Sequence, residues 1–157
     1  MKRVQVASFV RVGGEFCLIG RAVRHDGDCE YVPGAIGLAV DGYELLGQDL
    51  WDDINWLWPV MVQGLDECRS AGSAKRFFPD QPIAFESKMV GARGEVMLAV
   101  RTADRTIDRR AIAPVAELYE AVALAGLEFY ENLRRLCGPG AVADEDERIV
   151  RGWLEGE

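Results

Sequence analysis

The chain has 157 residues, 49% of them apolar and 28% charged, with a formal net charge of −8 and a pI near 4.8. That length and apolar share exclude wholesale disorder and suit one domain with a full core. The acidity argues against nucleic acid as a partner, because phosphate binding needs a concentrated basic surface, and it favours basic proteins instead.

In chain order, residues 4–12 and 15–22 flank Gly13-Gly14, a pair whose freedom at positive φ suits a tight turn, so a β-hairpin is expected to open the fold. Residues 24–30, Arg-His-Asp-Gly-Asp-Cys-Glu, read as a polar loop, an extended segment resumes over 31–40, and Asp41-Gly42 marks a second turn. Residues 49–69 then read as one amphipathic helix with Asp49 as its N-cap. At 100° per residue, Leu50, Ile54, Leu57, Trp58, Met61, Leu65 and Cys68 share one stripe, whereas Trp56 points the opposite way beside Asp52, Pro59, Gln63 and Asp66. Pro59 removes the bond to the Asn55 carbonyl, which predicts a kink or break at a cost of about 3 kcal/mol.

Ser70-Ala71-Gly72-Ser73 ends the helix, and Phe77-Phe78-Pro79-Asp80-Gln81-Pro82 is a structured turn in which the Asp80 side chain caps local amides. Strands over 82–90 and 95–102 are joined through Gly91-Ala92-Arg93-Gly94, with a third short strand over 105–110. A second long helix begins at Pro114, whose φ suits a first helical position, and stops at Gly138-Pro139-Gly140. Its stripe is Val115, Leu118, Tyr119, Val122, Phe129, Leu133 and Leu136, widened by Ala121, Leu124, Ala125 and Leu127. The fold class is therefore α+β, a largely antiparallel sheet with two long helices packed on it, in the order β-β-β-α-β-β-(β)-α. Residues 1–140 form that single domain, and 141–157 make an acidic tail or short amphipathic helix using Ile149, Val150, Trp153 and Leu154. No internal repeat is visible.

No run of about 20 apolar residues is present, so no membrane span is expected. The opening Met-Lys-Arg-Val-Gln-Val is not followed by an apolar block of signal-peptide length, which points to the cytoplasm. Cys17, Cys29, Cys68 and Cys137 are far apart and form no CxxC, so reduced thiols are expected, with Cys68 and Cys137 as small core residues.

Catalytic templates find little purchase. His25 is the only histidine and sits in the polar loop with Cys29 four residues on, a spacing that suits a solvated loop better than a nucleophile and base. The glycine pairs lack the phosphate-loop pattern, and Asp49, Asp52 and Asp53 read as first-turn charges favoured by the helix dipole. No catalytic residue, metal site or cofactor is assigned.

The charge is uneven. Residues 41–70 carry seven acids against Arg69 alone, the segment from Ala141 carries six against Arg148 and Arg151, and the first 24 residues are mildly basic. A large aromatic ring among carboxylates needs a partner, so Asp52, Trp56, Gln63, Asp66, Glu67 and Asp80 form the candidate partner-binding set.

Tyr31-Val32-Pro33-Gly34-Ala35-Ile36, Leu50-Trp51-Asp52-Asp53, Leu57-Trp58 and Phe78-Pro79-Asp80-Gln81-Pro82 together resemble a type of small bacterial protein, some of which are similar to immunity proteins of polymorphic toxin systems. The resemblance covers roughly residues 31–101 and brings no established active-site motif. It implies a cytoplasmic protein that binds and neutralises a cognate toxin; the acidic surface separately suggests a non-enzymatic inhibitor of a basic toxin domain, for which occluding a cationic cleft is the natural mechanism. Two other readings stay open: a structural or oligomeric α+β domain in which Trp56 is covered by the tail through Trp153 or by a second copy, and an enzyme whose site is assembled by the fold, with His25 and Cys29 its first residues.

Overall fold

Gly13 and Gly14 both take positive φ, and the turn they make pairs β1 (Val4–Val12) with β2 (Glu15–Leu18) in antiparallel register. The computed structural model describes residues 2–92 and 94–156. After the polar loop, β3 (Pro33–Val40) returns along the other side of β1, and the Asp41-Gly42 turn, again at positive φ, sends the chain into β4 (Tyr43–Leu46). A two-residue strand, β5 (Asp52–Asp53), pairs with Pro33 and Gly34 at the start of β3. The first sheet thus has the order β2-β1-β3-β4, with β5 also on β3.

Gly34 is fixed by packing. A Cβ there would stand 2.2 Å from the Phe9 carbonyl oxygen and 3.0 Å from Ile54, so β3 crosses close to both β1 and the start of the first helix.

That helix, α1, runs Ile54–Ala71 and not from Asp49. Residues 48–50 make a separate 3₁₀ turn in which Asp49 pairs with Arg109, and the chain joins the sheet at Asp52-Asp53 before turning helical. The expected stripe holds: Leu50, Ile54, Leu57, Trp58, Met61, Leu65 and Cys68 are all buried. Helix α1 continues unbroken through Pro59.

Gly72, left-handed at φ 90°, ends α1 and opens a second sheet rather than extending the first. Its strands are β6 (Ser73–Phe77), β7 (Ile83–Val90), β8 (Glu95–Thr102) and β9 (Asp108–Pro114), a simple antiparallel meander. Strands β7 and β8 match expectation; β6 arises between the expected break at 70–73 and the expected turn from Phe77, where no element was read, and β9 lies later than 105–110. In the turn joining β7 to β8, Arg93 lies outside the described residues.

The expectation of a single sheet is therefore corrected to two. Helix α1 packs on β3 of the first sheet and on β6 and β7 of the second, while α2 (Val115–Cys137) packs on β1 and β9. Strand β4 lies beside β9, and the Arg109 guanidinium ties the sheets together through Asp49 and the Leu45 carbonyl.

Pro114 caps α2 rather than opening it, and Leu124, expected in the buried arc, faces out. The last element, α3 (Asp144–Glu155), lies against both long helices and buries Val150 and Trp153. The core fills the space between the helices and the two sheets, centred on Trp58, which is fully buried, stacks on Phe129 and donates its indole N–H to Ser8 Oγ at 2.9 Å. No described helix is long and apolar enough to cross a membrane.

The cysteine expectation is overturned for two of the four. Cys29 and Cys137 form a disulfide with Cα atoms 5.8 Å apart, whereas Cys17 and Cys68 are free. Sequence spacing alone could not show this, because the partners are 108 positions apart and are brought together by the loop after β2 and the end of α2. Such bonds persist in oxidising surroundings, so the bridge does not favour the reducing compartment that the thiol reading assumed.

Alkylation of the denatured, unreduced protein is expected to label Cys17 and Cys68 only, with Cys29 and Cys137 reacting after reduction. Because the bridge closes a long loop, Cys137→Ser should lower unfolding free energy by about 2 to 5 kcal/mol in denaturant titration.

Candidate functional site

The start of α1 organises the surface around Trp56. Asn55 turns inward and holds the preceding loop: its Oδ1 accepts from the Val32 amide at 3.0 Å, and its Nδ2 donates to the Glu30 carbonyl at 2.9 Å. Ile54 donates its amide to the Val32 carbonyl at 2.8 Å. These bonds bring Tyr31 beside the first turn of α1. The Trp56 indole N–H donates to the Glu30 carbonyl at 2.8 Å, so the ring is pinned although 49% exposed.

Asp52 anchors the other side. Only 3% exposed, it accepts the Asp53 amide at 2.6 Å on one carboxylate oxygen and the Asp80 amide at 3.0 Å on the other. The capping expected of Asp80 thus runs the other way, and it fixes the Phe78–Pro82 turn against α1. Buried Phe78, whose amide donates to the Ile83 carbonyl, completes that turn.

The result is a hollow of about 580 Å³ lined by Tyr31, Asp53, Trp56, Pro79 and Asp80. Tyr31 is 56% exposed, so two open aromatic residues and two acidic ones line the same hollow. The Asp53 carboxyl is pushed above the usual carboxylate range by burial, then by the charges of Asp52 and Asp80. An aromatic and acidic hollow of this kind suits a cation, through ring faces and charge together. Alongside it, the Arg11 guanidinium lies 4.7 Å over the half-open Trp51 ring.

The remaining residues of the sequence-derived set are engaged elsewhere. Gln63 donates to Asp146 at 3.1 Å, Asp66 accepts the Trp153 indole N–H at 3.0 Å, and Glu67 pairs with Arg76 at 3.1 Å. Of the six, only Trp56 and Asp80 line the hollow, while Asp52 supports it from beneath. Trp153 packs edge-on against Tyr119, so the tail helix does not cover Trp56 through that ring. Tyr31 and Asp53 were missed as site residues. Asp53 was accessible to helix geometry, since positions three apart share a face, but Tyr31 arrives through backbone bonds that no periodicity records.

His25 Nε2 lies 2.8 Å from the Asp28 carbonyl in the exposed loop, and Cys29, in its disulfide, presents no thiol beside it. Among the described residues, no three of the His, Cys, Asp and Glu side chains converge as metal ligands. No protein-family model, curated protein or solved structure matches the chain.

Two neighbouring acids should behave oppositely. Asp52→Ala strands two amides and is expected to cost about 3 kcal/mol in denaturant unfolding. Asp53→Asn relieves repulsion and should raise the melting temperature. Folding raises the Asp53 pKa, so its ionisation penalty is fully present above the folded value and fades as pH falls toward the ordinary 3.8. The gain from Asp53→Asn should therefore be largest at neutral pH and vanish in acid, as melting curves across pH will read.

Proposed function

We propose that this chain is a protein-binding inhibitor that captures a basic protein by seating a cationic side chain in the hollow of Tyr31, Asp53, Trp56 and Asp80. The most concrete form is an immunity protein that neutralises a cognate bacterial toxin by occluding its basic site. The observation that carries the reading is the pinned, half-exposed Trp56 ring sharing one hollow with the Asp53 and Asp80 side chains. A rigid aromatic anchor loses little entropy on binding, and interfaces concentrate their energy in such residues.

The electrostatics support the same direction. An acidic protein of net charge −8 draws a cationic partner and raises its association rate, an effect that salt weakens. The alternative is an oligomeric domain in which a second copy covers Trp56. That reading needs the face to be self-complementary, and two acidic hollows facing each other repel.

Affinity capture with the tagged chain should retain one basic protein, with retention falling between low and moderate salt. Trp56→Asp should lose it while staying folded, its stability falling by no more than the roughly 1 to 2 kcal/mol of one lost hydrogen bond; measured on the purified partner, the loss should be about 30-fold or more, as for a central aromatic anchor. If Trp56→Asp instead changes the native mass or unfolds the chain, the ring is part of an oligomer or of the fold and the inhibitor face is wrong.

A further inference from the structure

A second cavity of about 510 Å³, also lined by Trp56, opens between α1, α2 and the segment leading into α3. Its walls are the rings of Trp56, Phe129 and Tyr130 with Pro59, Leu133 and Val142, and Cys29 and Glu30 roof it beside the disulfide. The volume lies within the usual range for small-molecule sites, and the lining is mostly apolar with few polar groups.

Two of those polar groups are unsettled. The Tyr130 hydroxyl is buried and has no hydrogen-bond partner among the described residues, although Tyr130 is only 2% exposed. Asp146 is 4% exposed, yet among the described residues the one side-chain hydrogen bond its carboxylate receives comes from the neutral amide of Gln63. Arg134 and Arg151 both pair with Glu147, and Arg148, two positions on, is exposed and turned about 200° away on α3. Asp146 lies in the first turn of α3. Among the described residues its carboxylate makes no salt bridge, so it stands under-bonded at the edge of an aromatic cavity. The Tyr130 phenol, pushed up first by burial and then by Asp146 and Glu147, stays protonated and can donate or accept.

We propose that this cavity is a binding site for a small organic ammonium ion, a protonated amine carried on an aromatic or branched apolar body. The ammonium group takes the free side of the Asp146 carboxylate and the Tyr130 oxygen, while the body lies among Trp56, Phe129 and Leu133. A carboxylate ligand of the same shape is repelled by Asp146, and a neutral one leaves its charge unpaired. The site is distinct from the outer hollow and does not depend on the inhibitor reading.

The test is calorimetric titration of the full chain with 2-phenylethylamine, 3-phenylpropionate and 2-phenylethanol at neutral pH, with amide chemical shifts recorded alongside. The amine is expected to bind about tenfold or more tighter than either analogue, moving the amides around Phe129, Leu133 and Val142. Asp146→Asn keeps an acceptor for Gln63 and should abolish the preference. Tyr130→Phe removes an unpartnered hydroxyl, so it should fold at least as well and weaken the amine about three- to tenfold. Absence of amine binding at millimolar concentration would overturn the proposal. So would equal binding to Asp146→Asn, or binding lost in Asp53→Asn and kept in Asp146→Asn, which would place the cation in the outer hollow instead.

Discussion

The indole of Trp58 is the constraint on which the rest of the structure depends. It is the largest fully buried side chain, its N–H is satisfied by Ser8 on β1, and its ring lies on Phe129 of α2. The close approach requires Gly126, where a Cβ would stand 3.3 Å from the ring. One side chain on α1 thus joins the first sheet to the second long helix, and an unbonded indole N–H at that depth would cost several times what its bond contributes. The same placement decides the surface. Two helical positions turn the chain by about 200°, so a buried Trp58 obliges Trp56 to face out. Core and candidate site are two consequences of one helix phase.

Helix phase is what a sequence displays best, and the parts of this fold that follow from it were legible. The buried stripe of α1, the outward Trp56, the hairpins at Gly13-Gly14 and Asp41-Gly42, and strands β7 and β8 all come from periodicity and turn chemistry. The partition into two sheets was not, because pairing is a long-range choice that alternation does not encode. Strand β6 shows why: Ser73-Ala74-Lys75-Arg76-Phe77 is polar and exposed at every second residue, an edge strand that reads as loop until β7 supplies its partner. Asp49 misled for a related reason. It has the chemistry of a helix cap, but the chain spends Asp52-Asp53 in the sheet first, and Asp49 meets Arg109 from the other sheet.

The acidic residues divide in a way that composition conceals. Asp52, Asp66 and Glu67 read as outward charge, yet each receives a hydrogen bond from a distant part of the chain: the Asp80 amide, the Trp153 indole and the Arg76 guanidinium. They act as ties between elements. Glu147 does the same for α2 and α3, its carboxyl held below the usual range first by its bond to Arg134. Charge counted along the sequence overstates the acidity left unengaged at the surface. Asp53 differs from these ties: its carboxyl is raised by burial and by the charges of Asp52 and Asp80.

The loop between β2 and β3 explains how so polar a segment can position so specific a surface. Residues 24–30 contribute almost nothing to the apolar core, so hydrophobic burial cannot order them. Order comes instead from three directions at once: the Cys29–Cys137 bridge, the Asn55 and Trp56 bonds to the Glu30 carbonyl, and Arg135, which donates to the Ile19 and Ala22 carbonyls just before the loop begins. Removing the bridge leaves only bonds worth about 1 kcal/mol each to oppose the entropy of the loop. Glu30 roofs the inner cavity, its carbonyl fixes the Trp56 ring, and Tyr31 beside it lines the outer hollow. The loop that the disulfide holds therefore contributes both to the fixing of the Trp56 ring and to the wall of the inner cavity.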